Sequence, residues 1–404
     1  MLRKIRLTLM PLAFKSYKII YWLFNLLPVK DKVVATTMRG RKFSDNPRFI
    51  LEELHKLRPD LDFVWFVDDR YKYDVPAWVR AVPYYRCGML KRIYEMATAK
   101  VWINSHFIEF FIAKKHNQLF VWTDHGSLPL KKVHFDVNPN MDTESMAYKE
   151  LMKTAEYADV YLSNSVFHKE FFKRAYAFEG PVIKSGFPRN DELVKPSKDY
   201  RRIVREKLNL GKRNIFLYAP TFREKFEKTH KIDFDVYNVD YVNVHKALCE
   251  TFGGEWVILV KFHPTMQLFV NHGVFDSFPF VHDVTEYTNM QELIAGSDFL
   301  LTDYSSCIID AGIAGVPGLT LCLDFEEYKK ERDVYFEMDN LPFPFARTNE
   351  KLIDNIRNFD KEKYLNKWND FANTIGMKEP GNASETIAKK VLDFIDGKSV
   401  SWKK

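Results

Sequence analysis

From Lys32 onward the chain alternates short apolar runs with longer amphipathic stretches. The runs Lys32–Thr36, Phe63–Phe66, Val101–Ser105, Leu119–Thr123 and Val160–Ser163 have the length and the β-branched or aromatic content of buried strands. Between them, apolar residues at helical spacing predict helices over Asn46–Leu57 and Leu90–Ala99. The pattern pauses across Gly186–Lys198, where Pro188 and Pro196 fall. It then resumes with Asn214–Tyr218, Trp256–Lys261, Phe299–Thr302 and Gly318–Leu321. Strands alternating with helices predict an α/β chain whose parallel sheets are covered on both faces. Two such series predict two Rossmann-like domains facing a central cleft, over residues 31–190 and 191–380. The closing helix, Ala383–Phe394 within 381–404, is expected to cross back to the first domain.

Bulk properties narrow the class. A chain of 404 residues with 46% hydrophobic content has material for two cores. The formal charge of +6 permits acidic partners such as phosphate-rich substrates or anionic lipid. No nucleic-acid motif accompanies it, so nucleic acid is not an expected partner. Cys87, Cys249, Cys307 and Cys322 have no CxxC spacing, which speaks against a disulfide framework or a zinc site and fits a reducing compartment.

Residues 1–30 stand apart. Arg3, Lys4, Arg6, Lys15, Lys18 and Lys30 are interspersed with aliphatic and aromatic residues, and the first acid is Asp31. The apolar runs Leu7–Phe14 and Ile19–Leu27 are each shorter than the ~20 residues that span a bilayer. Two readings remain: a basic amphipathic helix lying on an anionic leaflet, and a first helix packed on the protein's own core. The first predicts peripheral attachment to the cytoplasmic face of the membrane.

In parallel α/β sheets, ligands bind beyond the carboxyl ends of the strands. Reading those positions gives Asp124-His125-Gly126-Ser127 after the fourth run and Ala219-Pro220-Thr221-Phe222-Arg223 after Asn214–Tyr218. Phe262-His263-Pro264 follows Trp256–Lys261, and Asp303-Tyr304-Ser305-Ser306 follows Phe299–Thr302. Ser305 and Ser306 precede an apolar helical run, so their hydroxyls and the free N–H groups of its first turn suit an anion, although a serine there also serves as a simple cap. His125 and His263 differ from His55, His116, His168 and His245 because each follows a strand, one per domain, where an imidazole can take a proton near neutral pH. Gly126 would let a substrate approach the backbone. His106 is a weaker third candidate, and each histidine taken singly also fits a structural role. Asp233 and Asp235 form a D-x-D in a polar, Lys-rich stretch that does not follow a strand, a poor metal cage.

Taken together these segments resemble the CDP-glycerol glycerophosphotransferase family, enzymes that build teichoic acids and related phosphate-linked capsules. The resemblance runs from about Lys32 to about Phe345. It includes Ser44-Asp45-Asn46-Pro47, Ala99–Ser105, His125-Gly126 with Pro129-Leu130-Lys131, Tyr218–Arg223, Lys261–Pro264, Asp303–Ser306 with Asp310, and Glu326–Phe336. It implies a GT-B-like architecture with the donor held mainly by the second domain. By similarity His125 is the expected base and His263 a second essential histidine near the donor pyrophosphate. Thr221, Arg223, Ser305, Ser306 and Asp310 are expected donor contacts, with Asn46 and Gly126 on the acceptor side. The family pattern reads Thr-Trp-His-Gly-Thr-Pro-Leu-Lys. This chain has Asp124 for the tryptophan and one extra residue between Gly126 and Pro129.

The expected reaction moves glycerol phosphate, or ribitol or a related polyol phosphate, from a CDP-activated donor to the hydroxyl end of a lipid-linked or polymeric phosphate acceptor, releasing CMP. No cofactor and no metal are expected beyond the CDP-glycerol donor, so activity should survive EDTA. The rivals are a GT-B glycosyltransferase using a nucleotide sugar and a catalytically silent membrane-bound scaffold.

Overall fold

The computed structural model describes residues 16–85, 88–223, 234–263, 266 and 272–402. The chain separates into two compact units. Unit 1 holds the residues up to His125, His134–Asp191, and those from Lys378 onward, while unit 2 holds Gly126–Val133 and Glu192–Met377.

Unit 1 is built on a seven-stranded sheet with order β3-β2-β1-β4-β5-β6-β7. Its strands are β1 (Lys30–Thr36), β2 (Asp62–Val67), β3 (Arg80–Pro83), β4 (Ala99–Asn104), β5 (Leu119–Trp122), β6 (Val160–Ser163) and β7 (Val182–Lys184). Every pairing is parallel. Consecutive residues of the central strands are buried rather than alternate ones, Val33, Val34 and Ala35 among them. That pattern requires cover on both faces, which a parallel sheet obtains from its crossover helices.

The second sheet has six strands in the order β10-β9-β8-β11-β12-β13. They are β8 (Asn214–Tyr218), β9 (Trp256–Val260), β10 (Val281–Asp283), β11 (Phe299–Thr302), β12 (Gly318–Leu321) and β13 (Phe345–Ala346). Counted within its unit, each sheet runs 3-2-1-4-5-6, with a seventh strand added in unit 1. The order reverses between β1 and β4, and between β8 and β11, and such a reversal opens a crevice beyond the strand ends.

The expected strands are all present, with ends shifted by one or two residues. Four strands were not expected: β3, β7, β10 and β13. All four are sheet edges, two to four residues long. An edge strand pairs on one side only and is kept short, so it leaves little apolar signal.

The closing helix, Ala383–Ile395, belongs to unit 1 and packs on the helix Asp45–Leu57. Its Ile387, Ala388, Val391 and Ile395 join the core of that unit. Each large aliphatic side chain so buried contributes roughly 1.5–3 kcal/mol. The Asp191 carboxylate accepts from the N–H groups of Ala383 at 2.8 Å and Ser384 at 2.7 Å, which satisfies two orphan donors at the helix start.

A helix over residues 16–24 has two distinct faces. Tyr21 is buried, Tyr17 lies 5.7 Å from the ring of Phe111, and Phe24 lies 5.7 Å from that of Tyr94. Ile19, Trp22 and Leu26 are exposed by 61, 62 and 70%. Thus the helix packs on unit 1 and also presents an apolar surface. The run Leu7–Phe14 and its flanking basic residues lie outside the described residues, as do Cys87, Asp233 and Pro264. No described helix is long and apolar enough to cross a membrane.

Candidate active site

Beyond β5 the chain enters a turn at Asp124, whose φ of +53° lies in the left-handed region that aspartate tolerates better than most residues. The turn is held from two sides. Asn46 donates its side-chain amide to the carbonyl of Asp124 at 3.1 Å and accepts from the Arg189 N–H at 3.1 Å. Arg189 Nη1 donates to the carbonyl of His125 at 2.7 Å and lies 3.5 Å from Asp45 Oδ1. His125 is thereby fixed through its main chain while its side chain stays 51% exposed. Asn46, expected on the acceptor side, is fully buried and brackets this turn through those two bonds.

The His125 imidazole sits 2.8 Å from Asp124 through Nδ1. Partial loss of water around the half-exposed ring pulls its pKa down, but the Asp124 carboxylate, aided by Asp45, outweighs that and raises it above the ordinary histidine value. Asp124 itself is opposed by burial yet brought down to about 2 by its imidazole neighbour. His106 differs sharply. Burial, with Arg39 and His125 nearby, lowers its pKa to about 3, and its ring stacks on Phe107 at 5.2 Å. A histidine that stays neutral among aromatic rings is a packing residue, as are His55 against Trp78 and His245 against Phe280.

In unit 2 the loops after β8 and β11 flank the point where strand order reverses. Asp303 ties them together. Its Oδ1 accepts from the N–H groups of Thr221 at 2.8 Å and Tyr304 at 2.6 Å, and its Oδ2 accepts from Arg223 Nη1 at 2.8 Å. Arg223 also donates to the Thr221 carbonyl at 2.7 Å and, through Nε and Nη2, to both carboxylate oxygens of Asp324 at 2.6 and 2.9 Å. Its guanidinium lies 5.0 Å from the Tyr304 ring and 5.2 Å from that of Tyr328. Burial opposes its charge, yet Asp303 and Asp324 hold it firmly protonated. Arg223, expected as a donor contact, is paired with two carboxylates here.

Thr221 is buried beside this network, and its Oγ1 has no hydrogen-bond partner among the described residues. A buried hydroxyl left unmatched is costly, so it marks a place where a ligand oxygen is welcome. His263 follows β9, its ring 4.7 Å from that of Phe222. Ser305 Oγ accepts from the Cys307 N–H at 3.4 Å, and both Ser305 and Ser306 are only partly buried.

Residues 126–133 group with unit 2. Lys131 pairs with Val334, and the Leu130 carbonyl accepts from the Tyr335 N–H at 2.7 Å. A Cβ on Gly126 would come 3.2 Å from Ser306 Oγ, so the glycine allows this close approach. The extra residue of the loop is absorbed by burying Ser127 and Leu128. Ser127 donates to Asp310, which is 1% exposed. Asp310, expected at the donor, thus holds the Ser127 hydroxyl. Among the described residues no group of three His, Cys, Asp or Glu is arranged to hold a metal.

Sequence reasoning missed Arg189 and Asp324, whereas Asp45 entered only as part of a motif. Each lies far along the chain from the residue it holds, and no local pattern marks it.

Two doubly wound parallel units with chemistry-bearing loops at their strand ends define a GT-B-like transferase. A solved structure of the wall teichoic acid polymerase TagF superposes with a TM-score of 0.81 at 25% identity, over 98% of each chain. The sequence pattern of the CDP-glycerol:poly(glycerophosphate) glycerophosphotransferase family matches residues 19–393, and the chain belongs to that family. It is 30% identical over 403 residues to a teichoic acid poly(glycerol phosphate) polymerase of Bacillus spizizenii, covering 96% of this chain and 99% of that one. A second polymerase of that description, from Bacillus subtilis, is 28% identical over 94% of this chain, which spans about half (51%) of its length.

Proposed function

We propose that the chain extends a teichoic-acid-like polymer by transferring glycerol phosphate from CDP-glycerol to the polymer's terminal hydroxyl. The observation that carries this reading is the family match over residues 19–393, which spans both histidine-bearing loops. The acceptor oxygen attacks the β-phosphorus and His125 takes its proton. The bond from that phosphorus to the bridging oxygen breaks, and CMP departs with the electron pair. His263, the Thr221 and Ser305 hydroxyls and Ser306 are assigned to the donor phosphates, where fixed donors aimed at developing charge lower the barrier. Arg223 and Asp310 hold the loops that present them.

A peripheral attachment to the cytoplasmic membrane face accompanies this activity. Its support is the exposed apolar surface of residues 16–27, with Ile19, Trp22 and Leu26, in a sequence whose first 30 residues carry six basic residues and no acid.

A donor screen tests the function. Nucleotide release is measured with a glycerol-phosphate-primed, lipid-linked acceptor and CDP-glycerol, CDP-ribitol, UDP-glucose or GDP-mannose. CMP release from CDP-glycerol is expected. Better turnover of CDP-ribitol would change the polyol, and better turnover of a nucleotide sugar would overturn the reading. Running the assay in EDTA decides metal dependence, and activity is expected to persist.

A further inference from the structure

The mechanism above leaves one group of the first unit without a task. Asp124 is not the residue that the family pattern carries before the histidine, and it is not a surface charge. Its Oδ1 meets His125 twice, at 2.8 Å from Nδ1 and at 2.7 Å from the backbone N–H. Its Oδ2 lies 3.5 Å from the Tyr176 hydroxyl. The left-handed turn at φ +53° is what curls the carboxylate back onto the next residue's ring. Asn46 and Arg189 hold the two carbonyls on either side of that turn, so the geometry is imposed by the surrounding fold.

A neutral imidazole with a carboxylate on Nδ1 carries its proton there and keeps the Nε2 lone pair for a reacting hydroxyl. We propose that Asp124 is a positioning residue that forms an acid–imidazole pair with His125, selecting the tautomer with a free Nε2 and stabilising the imidazolium formed in the transfer step. In that step the acceptor hydroxyl proton moves to Nε2, the new O–P bond forms, and the P–O bond to CMP breaks. Asp124 stays ionised throughout, and the imidazolium later returns its proton to solvent. The proposal rests on the reading of His125 as the base.

The other charged and titratable groups facing this pair are Asp45 at the start of the helix Asp45–Leu57, Arg189 in the turn Pro188–Asn190, and His106 after β4. Tyr161 on β6, Tyr176 at the end of the helix Phe167–Tyr176, and His168 in that helix face Asp124. Of those acting on His125 besides Asp124, Asp45 raises its pKa and Arg189 lowers it. Removing the Asp124 charge should therefore move the histidine to lower pKa.

The test compares the full chain with Asp124→Asn, Asp124→Glu and His125→Ala. The readouts are kcat and donor KM against pH, and titration of His125 by NMR on histidine-labelled protein. An asparagine amide facing Nδ1 favours the wrong tautomer. Asp124→Asn should therefore lower kcat at least about tenfold with little change in KM, as loss of an orienting carboxylate does in other histidine-based sites. The acid limb of the rate profile and the NMR titration should both shift to lower pH, and Asp124→Glu should restore part of the rate. An unchanged kcat in Asp124→Asn overturns the proposal. So does a loss of rate in which neither the limb nor the titration moves, because Asp124 would then act only through the backbone turn. Turnover retained in His125→Ala would remove the base reading itself and the catalytic role of Asp124 with it. The NMR shift would still report whether the two side chains are paired, which separates the two failures.

Discussion

His125 and His263 both follow strands of sheets that share one topology, yet charge is used differently around them. In unit 1 the charged groups converge on the histidine loop: Asp124 on the ring, Arg189 on the carbonyl, Asp45 behind. In unit 2 the charges are spent on one another, Asp303 and Asp324 closing on Arg223, beside partly buried serine hydroxyls and a threonine oxygen without a partner among the described residues. A base must have its protonation state tuned, which takes nearby fixed charge. A site for a polyanionic donor needs stiff loops and uncommitted donors, and a saturated ion network provides the stiffness. On the proposed mechanism, the two similar scaffolds divide the labour between proton transfer and phosphate binding.

Breaking each side should give a different signature. The largest effect is expected from His125→Ala, which should lower turnover by roughly 10²–10⁴ with donor binding nearly intact. Equilibrium binding of CDP-glycerol alongside single-turnover rates checks this, and loss of donor binding would reverse the roles of the two histidines. Next comes Arg223→Met, which leaves the buried Asp303 and the partly buried Asp324 without their cation. A destabilisation of about 3–5 kcal/mol is expected, read as a fall in the melting temperature of unit 2, with donor binding lost only as far as folding is lost.

A smaller effect belongs to His168, buried in unit 1 with Ser165 Oγ 2.8 Å from its Nδ1. Burial lowers its pKa to about 4. Because the unfolded chain binds a proton more readily, stability should rise with pH between about 4 and 6.5 and be lost as the pH falls through that window, by at most roughly 3 kcal/mol. Melting temperatures across that range should show the slope, and His168→Gln should flatten it.

His263→Ala should weaken donor affinity about 10–100-fold, the worth of a hydrogen bond to a charged group. Ser305→Ala should do the same only several-fold. Calorimetric titration with CDP-glycerol distinguishes them, and unaltered affinity in both would remove them from the donor site. The mildest expectation concerns the membrane. Deleting residues 1–28 should release the protein from liposomes containing anionic lipid, and high salt should release part of the full chain, since exposed charges are screened within about 8–10 Å.

The central strands and the histidine loops were legible because their causes are local. A strand buried on both faces must be continuously apolar, as Trp256–Val260 is, and a polar cluster directly after it interrupts that run visibly. The position of His125, the substitution at Asp124 and the extra loop residue could all be read from the chain. What Asp124 touches could not, because it depends on a left-handed turn held by Asn46 and Arg189, 78 and 64 residues away from the groups they bind. For the same reason the chain alone does not show the partners that Asp310 and Arg223 hold, Ser127 for the one and Asp303 and Asp324 for the other. A sequence shows that a charge lies near a site, whereas only packing shows whether another charge has already claimed it. Edge strands such as Phe345–Ala346 also escaped, since their existence follows from a neighbour's free backbone groups and not from their own residues. Local composition determined the elements and the chemistry available, and long-range hydrogen bonding decided which of those groups remain free to act.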